Sequence, residues 1–145
     1  ELPGGGGFPT ADVLTVSFGD KPADLPAFGS SDQASMIRRL RFLDEVPIAV
    51  EEIWLDAASG KVNPETLSDS LYFYYKQKLG FWISHAQDSV WAAPVPDWAP
   101  AGVGKAPGVL TGYIERFGWA QGVAPVEFSR TWFDTDKARY VQRLK

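Results

Sequence analysis

Cysteine is absent from the 145 residues of this chain. The chain therefore has no disulfide framework, no thiolate nucleophile and no cysteine-ligated metal, which fits a cytoplasmic protein. No apolar run approaches the roughly 20 residues that a membrane-spanning helix requires. The sequence also lacks the basic and apolar start of a signal peptide. We therefore expect a cytoplasmic protein that has no membrane partner.

Basic residues are not in excess, because 14 Lys and Arg stand against 18 Asp and Glu, with a formal net charge of −4. A domain that grips a phosphate backbone usually has a basic face and a high pI. We therefore do not expect these residues to bind DNA directly.

Histidine occurs once, as His85. A Ser–His–acid triad would have to use this residue, but no nucleophile-elbow motif accompanies it. A metal site built from His85 and scattered carboxylates has no ligand spacing to support it. The sequence therefore predicts no catalytic residue, no metal and no cofactor.

Aromatic residues are abundant, with six Trp, nine Phe and five Tyr in a chain of single-domain length. Such side chains indicate first a core, and then a cavity or interface where they flank polar residues. The first 11 residues hold four consecutive glycines and two prolines. We predict that residues 1–11 are the remnant of a flexible linker and that residues 12–145 form one domain.

Short β-rich segments joined by turns make up most of the remaining chain. The predicted strands are Asp12–Phe18, Ser35–Leu43, Pro47–Leu55, Phe81–Ala93, Val109–Phe117, Val126–Phe133 and Arg139–Leu144. There is no βαβ alternation and no glycine-rich phosphate loop. The pattern predicts an α+β fold with a mostly antiparallel sheet of about six strands.

One amphipathic helix is predicted between the third and fourth of these strands. Asn63 and Pro64 are a helix-entry signal, and Ser70 offers a second capping position. Gly80 is the expected stop.

Two arginines alternate along the second predicted strand, so Arg39 and Arg41 share one face and Arg38 lies on the other. Two guanidinium groups about 7 Å apart on one strand face favour an anion between them. The alternative is an ion pair with carboxylates of the neighbouring strand. On pattern alone, the ion pair is the simpler interpretation.

Carboxylates lie in apolar stripes on the partner strand, where Glu51 and Glu52 face opposite sides of the sheet. At least one should be buried and should need a partner, for which the arginines are available. Near the end of the chain, Glu127, Ser129 and Thr131 share a face. This polar stripe fits either a solvent face or the lining of a polar cavity.

Four segments together resemble the UTRA domain, the C-terminal sensor of HutC-type regulators in the GntR family. They are the arginine strand IRRLRF, its turn and partner DEVPIAVEEIWL, the helix DSLYFYYKQKLG, and APVEFSRTWFDTDKARY. Each fragment is short, but all four occur in the family's order at compatible distances. The resemblance covers roughly residues 12–145.

This resemblance implies a chorismate lyase-like fold, a homodimer, and a pocket for a small anionic metabolite. A phosphosugar, an organic acid or an amino-acid derivative would fit. DNA would be bound only by a separate N-terminal winged-helix domain, outside these residues, in a regulator expected to be a repressor. Because fold alone does not transfer activity, a chorismate lyase-like enzyme acting on a small carboxylate is the alternative.

The resemblance also assigns effector-binding positions. Arg39 and Arg41, with the helix start, would hold the anionic end, and the carboxylates would meet hydroxyl or amino groups. Phe133 stands where some members have tyrosine, and the Pro- and Gly-rich residues 94–108 depart from the family pattern. The implied effector-binding residues are Arg39, Arg41, Glu51, Ser70, Tyr72, Glu127 and Phe133.

Overall fold

The structure, a computed structural model, describes residues 1–102 and 104–144. Six strands form one antiparallel sheet in the order β1-β2-β3-β6-β5-β4. The strands are β1 Pro9–Asp20, β2 Gln33–Leu43, β3 Val46–Asp56, β4 His85–Pro94, β5 Leu110–Trp119 and β6 Glu127–Phe133. The predicted α+β fold with a mostly antiparallel six-stranded sheet is confirmed. The described residues include no helix that is long and apolar enough to span a bilayer.

The hairpin between β2 and β3 turns at Asp44 and Glu45, both of which have positive φ. A two-residue turn with positive φ at both positions matches the twist of the paired strands. The turn pairs Leu43 with Val46, and an irregularity between Arg41 and Phe42 then shifts the register by one residue. This shift sets Arg39 beside Glu51 and Arg38 beside Glu52. The predicted hairpin is therefore present, with Val46 in the strand rather than in the turn.

The strands differ from the prediction most clearly at three places. β1 begins at Pro9 rather than at residue 12, and β4 begins at His85 rather than at Phe81. The predicted closing strand, Arg139–Leu144, is wrong, because the segment has no ladder with the sheet. Its backbone bonds reach Glu1, and its Tyr140 side chain bonds Asp88. It therefore contributes side chains rather than a seventh strand.

The helical segment is shorter than the single amphipathic helix predicted. A 3-10 turn, Pro64–Thr66, comes first, and α1, Leu71–Tyr74, continues into a π-helical turn, Tyr75–Leu79. The Ser70 side chain caps α1, and Gly80 ends the segment in the left-handed conformation that favours glycine.

Both faces of the sheet carry a core. On the helix face, Ile37, Ile53 and Leu55 pack against Tyr74 and Tyr75. On the opposite face, two buried clusters lie apart, one around Trp54 and Phe128 and the other around Val50, Tyr113 and Trp132. The helical segment covers only one end of its face, so the rest of that face is free to form a cavity.

Candidate functional site

A cavity of about 540 Å³ lies between the helix face of the sheet and the start of α1. Side chains of β2, β3, β5 and β6 form its floor, residues 69–72 form one wall, and residues 8–10 form another. Six of the seven predicted effector-binding residues line this cavity. They are Arg39, Arg41, Glu51, Ser70, Tyr72 and Glu127.

Strand register explains why these distant segments meet. Arg39 of β2 pairs with Glu51 of β3, which pairs with Thr131 of β6, which pairs with Ile114 of β5. Because facing residues of adjacent strands point to the same side, this row crosses the cavity floor. The polar stripe of β6 therefore lines a cavity instead of facing solvent.

The Arg39 side chain is fixed by its neighbours and is only 7% exposed. Its Nε donates to Glu51 Oε1 at 2.6 Å, and its Nη1 donates to the carbonyl oxygen of Asp69 at 3.1 Å. A buried ion pair of this kind needs such additional bonds to offset desolvation. Arg39 therefore joins β2, β3 and the residue before the α1 cap.

The Arg41 side chain is freer, with 31% of its surface exposed. Its Nη1 lies 3.4 and 3.5 Å from the two oxygens of Glu51, which are long contacts. Its Nε is buried and has no hydrogen-bond partner among the described residues. Because Glu51 is already committed to Arg39, Arg41 has donors and positive charge available to a ligand.

Glu127 is enclosed at the β6 side of the cavity. It accepts hydrogen bonds from Tyr75 Oη at 2.5 Å and from Tyr72 Oη at 3.4 Å. Burial raises the pKa of Glu127 to about 7, with a further contribution from the Glu51 charge, although the Tyr75 bond opposes the shift. This carboxyl group therefore changes protonation near neutral pH.

The start of α1 contributes less than expected. Ser70 Oγ accepts from the Phe73 backbone N at 3.3 Å, so it is used in capping. The α-helical part has only four residues, Leu71–Tyr74, so its dipole is small. Burial, followed by the Glu127 charge, raises the pKa of Tyr72 to about 12, so its hydroxyl stays a donor.

Phe133 lies outside the main cavity. It lines an adjoining cavity of about 240 Å³, which shares Arg41 and Thr131 with the main one. A Cβ on Gly112 would lie 2.4 Å from the Phe133 ring, so the ring packs flat against the β5 backbone. Phe133 therefore lines the smaller cavity next to Arg41 and does not line the main cavity.

Sequence reasoning missed the β5 side of the cavity. Arg116 lines the cavity and donates to Asp88 of β4 at 2.6 and 2.9 Å, and Tyr140 donates to the same carboxylate at 2.7 Å. The alternation of Ile114 and Arg116 along β5 was the available signal. Without the strand order, it did not indicate which face was enclosed.

His85 lies on the outer edge strand, away from the cavity. Its ring stacks on Trp119 with centroids 5.0 Å apart. No group of three or more His, Cys, Asp or Glu within residues 1–102 and 104–144 is arranged to hold a metal ion.

Comparison with known proteins identifies the family. Residues 6–139 match the family model of the UTRA domain. The chain is 47% identical over 146 residues to the HTH-type transcriptional regulator SmoD of Agrobacterium fabrum, with all of this chain and 62% of that protein covered. It thus spans less than two thirds of that relative's length.

Solved structures agree on the fold. The ligand-binding domain of a GntR-family regulator from Bordetella bronchiseptica superposes with a TM-score of 0.82 at 21% identity, covering 98% of this chain and 92% of that one. PhnF from Mycobacterium smegmatis gives 0.74 at 18% identity, covering 94% and 63%. The 47% identical relative is a transcriptional regulator, which favours the regulator over the lyase-type enzyme. The chain belongs to the UTRA domain family.

Proposed function

We propose that this chain is the effector-sensing and dimerisation domain of a HutC-type GntR repressor in the cytoplasm. A small anionic metabolite binds the cavity and changes operator binding by a winged-helix domain that lies outside these residues. The observation that carries this proposal is Arg41, a half-buried guanidinium that lines a 540 Å³ cavity and shares the Glu51 carboxylate with Arg39 through long contacts.

The anion site is centred on Arg41 rather than shared equally by the two arginines. Arg39 holds Glu51 in place, and Glu51 in turn holds Arg41 by its long contacts. A phosphate or carboxylate offers planar or branched oxygens that a guanidinium binds well. Phosphosugars, organic acids and amino-acid derivatives all carry such groups, so the effector belongs among them.

Ligand-binding measurements on Arg41→Ala test the site. We expect anionic metabolites from a panel of these three classes to raise the melting temperature of the unchanged chain, because binding to the folded state alone stabilises it. Arg41→Ala should weaken binding about tenfold to a hundredfold, the worth of a charged hydrogen bond, without a large loss of stability. Arg143→Ala is the matched control, since Arg143 is exposed and lines neither cavity. Equal binding by Arg41→Ala and the control would refute the assignment.

Regulation follows if the effector binds two arrangements of the protein unequally. Residues 8–10 form one wall of the cavity, next to the N-terminal segment. Glu1 pairs with Arg139 and Arg143 of the C-terminal segment. An effector that displaces the wall therefore acts directly on the chain that precedes the domain. Gel-shift titration of the full-length regulator with the best metabolite from the panel should show loss of operator binding, and an unchanged shift would contradict a sensor role.

The homodimer is proposed to form through the opposite face of the sheet. A row of alternating charge crosses four adjacent strands there, from Arg38 through Glu52 and Arg130 to Glu115. When two copies of the chain are related by a two-fold axis, the row of one copy lies against the same row of the other in reverse order. Arg38 then lies over Glu115, and Glu52 lies over Arg130. The buried Nε of Arg130 has no partner among the described residues. A second copy supplies complementary charges.

Charge reversal tests this interface without removing any side chain. Arg38→Glu and Glu115→Arg should each give a monomer, because each places like charges opposite one another. Mixing the two variants should restore a heterodimer, since opposite charges then face each other at all four positions. Lys105→Glu is the control, with the same charge change at a residue outside this charge row that pairs with exposed Asp136. Sedimentation of each variant as an unchanged dimer would rule the face out.

A further inference from the structure

The β5 side of the cavity differs from the Arg41 side in its charge. Arg116 forms a two-pronged pair with Asp88, through Nε at 2.6 Å and Nη2 at 2.9 Å. The Arg116 hydrogen bonds hold the pKa of Asp88 below its usual range, so this carboxylate stays ionised. The pair has no net charge, and it leaves Nη1 of Arg116 outside its bonds, with the Tyr72 hydroxyl also within hydrogen-bonding reach of the guanidinium. This end of the cavity therefore offers donors without attracting a second anion.

The polar groups next to Arg116 include both hydrogen-bond donors and hydrogen-bond acceptors. Tyr72 and Glu127 line the cavity with it, and Ser129 is its facing neighbour on β6. A guanidinium only donates, a carboxylate only accepts, and the Ser and Tyr hydroxyls do both. A ligand hydroxyl, which donates one hydrogen bond and accepts others, is complementary to this mixture. A second anionic group is not, because Glu127 lines this end of the cavity and Asp88 already neutralises the charge of Arg116.

We propose that Arg116 is a specificity-determining residue that binds an uncharged, hydroxyl-bearing end of the effector while Arg41 binds its anionic end. The effector is then a hydroxylated organic molecule with its anionic group at one end, rather than a simple anion or a molecule with an anionic group at each end. This inference rests on the proposed sensor function and narrows its ligand class.

The sheet sets the separation of the two ends. Arg41 lies on β2 and Arg116 on β5, three strand spacings apart, and the register places Arg116 level with Ile37, four residues along β2 from Arg41. At about 4.8 Å per spacing and about 3.4 Å per residue, the two backbones are roughly 20 Å apart. Inorganic phosphate therefore contacts one end only, whereas an elongated molecule reaches both.

Asp88 and Tyr140 act as positioning residues for Arg116. Tyr140 Oη donates to Asp88 Oδ2 at 2.7 Å, so the C-terminal segment helps to orient the carboxylate that holds the guanidinium. Without Asp88, Arg116 would keep its donors and gain a net charge. Asp88→Asn should therefore change which ligand is preferred, instead of merely weakening binding.

Matched six-carbon acids test the proposal by calorimetric titration. Gluconate carries hydroxyls, hexanoate lacks them, and glucarate adds a second carboxylate. Glucose 6-phosphate and inorganic phosphate form the corresponding phosphate pair and identify which anion Arg41 accepts. We expect the hydroxylated member of at least one pair to bind about tenfold or more tightly than its plain counterpart. Arg116→Met should remove this preference and leave hexanoate and inorganic phosphate unaffected. Asp88→Asn should shift the preference from gluconate towards glucarate, and it tests the idea independently if Arg116→Met does not fold.

Equal binding of gluconate and hexanoate, and of glucose 6-phosphate and inorganic phosphate, would overturn the proposal. So would failure of both hydroxylated anions to bind, or an unchanged hydroxyl preference in folded Arg116→Met. These results differ from failure of the sensor's anion site, in which Arg41→Ala would leave the binding of every anion intact.

Discussion

The two faces of the sheet carry the same kind of ion pair in different surroundings. Arg39 and Glu51 pair across β2 and β3 on the helix face, and Arg38 and Glu52 pair one position away on the opposite face. Both members of the first pair are buried, at 7% and 8% exposed, whereas in the second pair Glu52 is 7% exposed and Arg38 is 30% exposed. The pairs differ in exposure because Asp69, just before the α1 cap, lies over Arg39 and accepts a hydrogen bond from it. One alternating sequence thus gives a structural clamp on one side and an accessible charge on the other.

Replacing each arginine in turn should have the largest effect of the changes considered. Arg39→Ala leaves Glu51 buried without its main partner, so the free energy of unfolding should fall by about 3–5 kcal/mol. Arg38→Ala should cost less, about 1–3 kcal/mol, because Glu52 is also buried but keeps the hydrogen bond from Trp54 Nε1. Urea denaturation of both variants measures the contrast. Equal losses would mean that the α1 segment does not set the energetic difference between the faces.

Glu127 provides the next contrast, because a buried carboxyl group with a raised pKa makes stability depend on pH. In the folded chain its pKa is about 7, against an ordinary value of 4.5. Between these values the folded state binds a proton that the unfolded state has lost, so stability falls as pH rises through this window. Glu127→Gln should remove this slope. The variant should be more stable than the unchanged chain at about pH 8, by up to about 3 kcal/mol.

Denaturation of both proteins across the pH range checks this prediction. Below about pH 4.5 the advantage of Glu127→Gln should disappear, because Glu127 is then protonated in both states. Glu115→Gln is the control on the opposite face, where the carboxylate is half-buried. A parallel pH dependence in the unchanged chain and in Glu127→Gln would show that Glu127 is ionised throughout.

Sequence patterns predict the strand pairing better than they predict what covers it. Period-two alternation separates Arg38 from Arg39, but the short turn alone does not fix their partners on β3, because the register shifts by one residue between Arg41 and Phe42. The sequence pattern does not show that Asp69 covers Arg39 whereas Arg41 remains partly exposed. Arg116 was missed for the same reason, because its role depends on β5 lying beside β6 and on Asp88 from an edge strand. Residues 139–144 were wrongly predicted as a closing strand because their composition is β-rich, but they form no ladder with the sheet.

The tyrosine hydroxyls that bond carboxyl groups on the two faces of the sheet should give the smallest difference in stability when they are removed. Tyr75 Oη donates to buried Glu127, and Tyr113 Oη donates to Glu115 at 2.6 Å. Tyr75→Phe removes one hydrogen bond from the buried carboxyl group and should lower the free energy of unfolding by about 1–3 kcal/mol. Tyr113→Phe should cost about 0.5–1.5 kcal/mol, since water can reach Glu115 in place of the hydroxyl. Tyr75→Phe should also raise the pKa of Glu127, because the lost bond favours the ionised form. The pH profile of unfolding would then extend to higher pH in Tyr75→Phe and remain unchanged in Tyr113→Phe, which separates a bond to the titrating carboxyl group from an ordinary lost hydrogen bond.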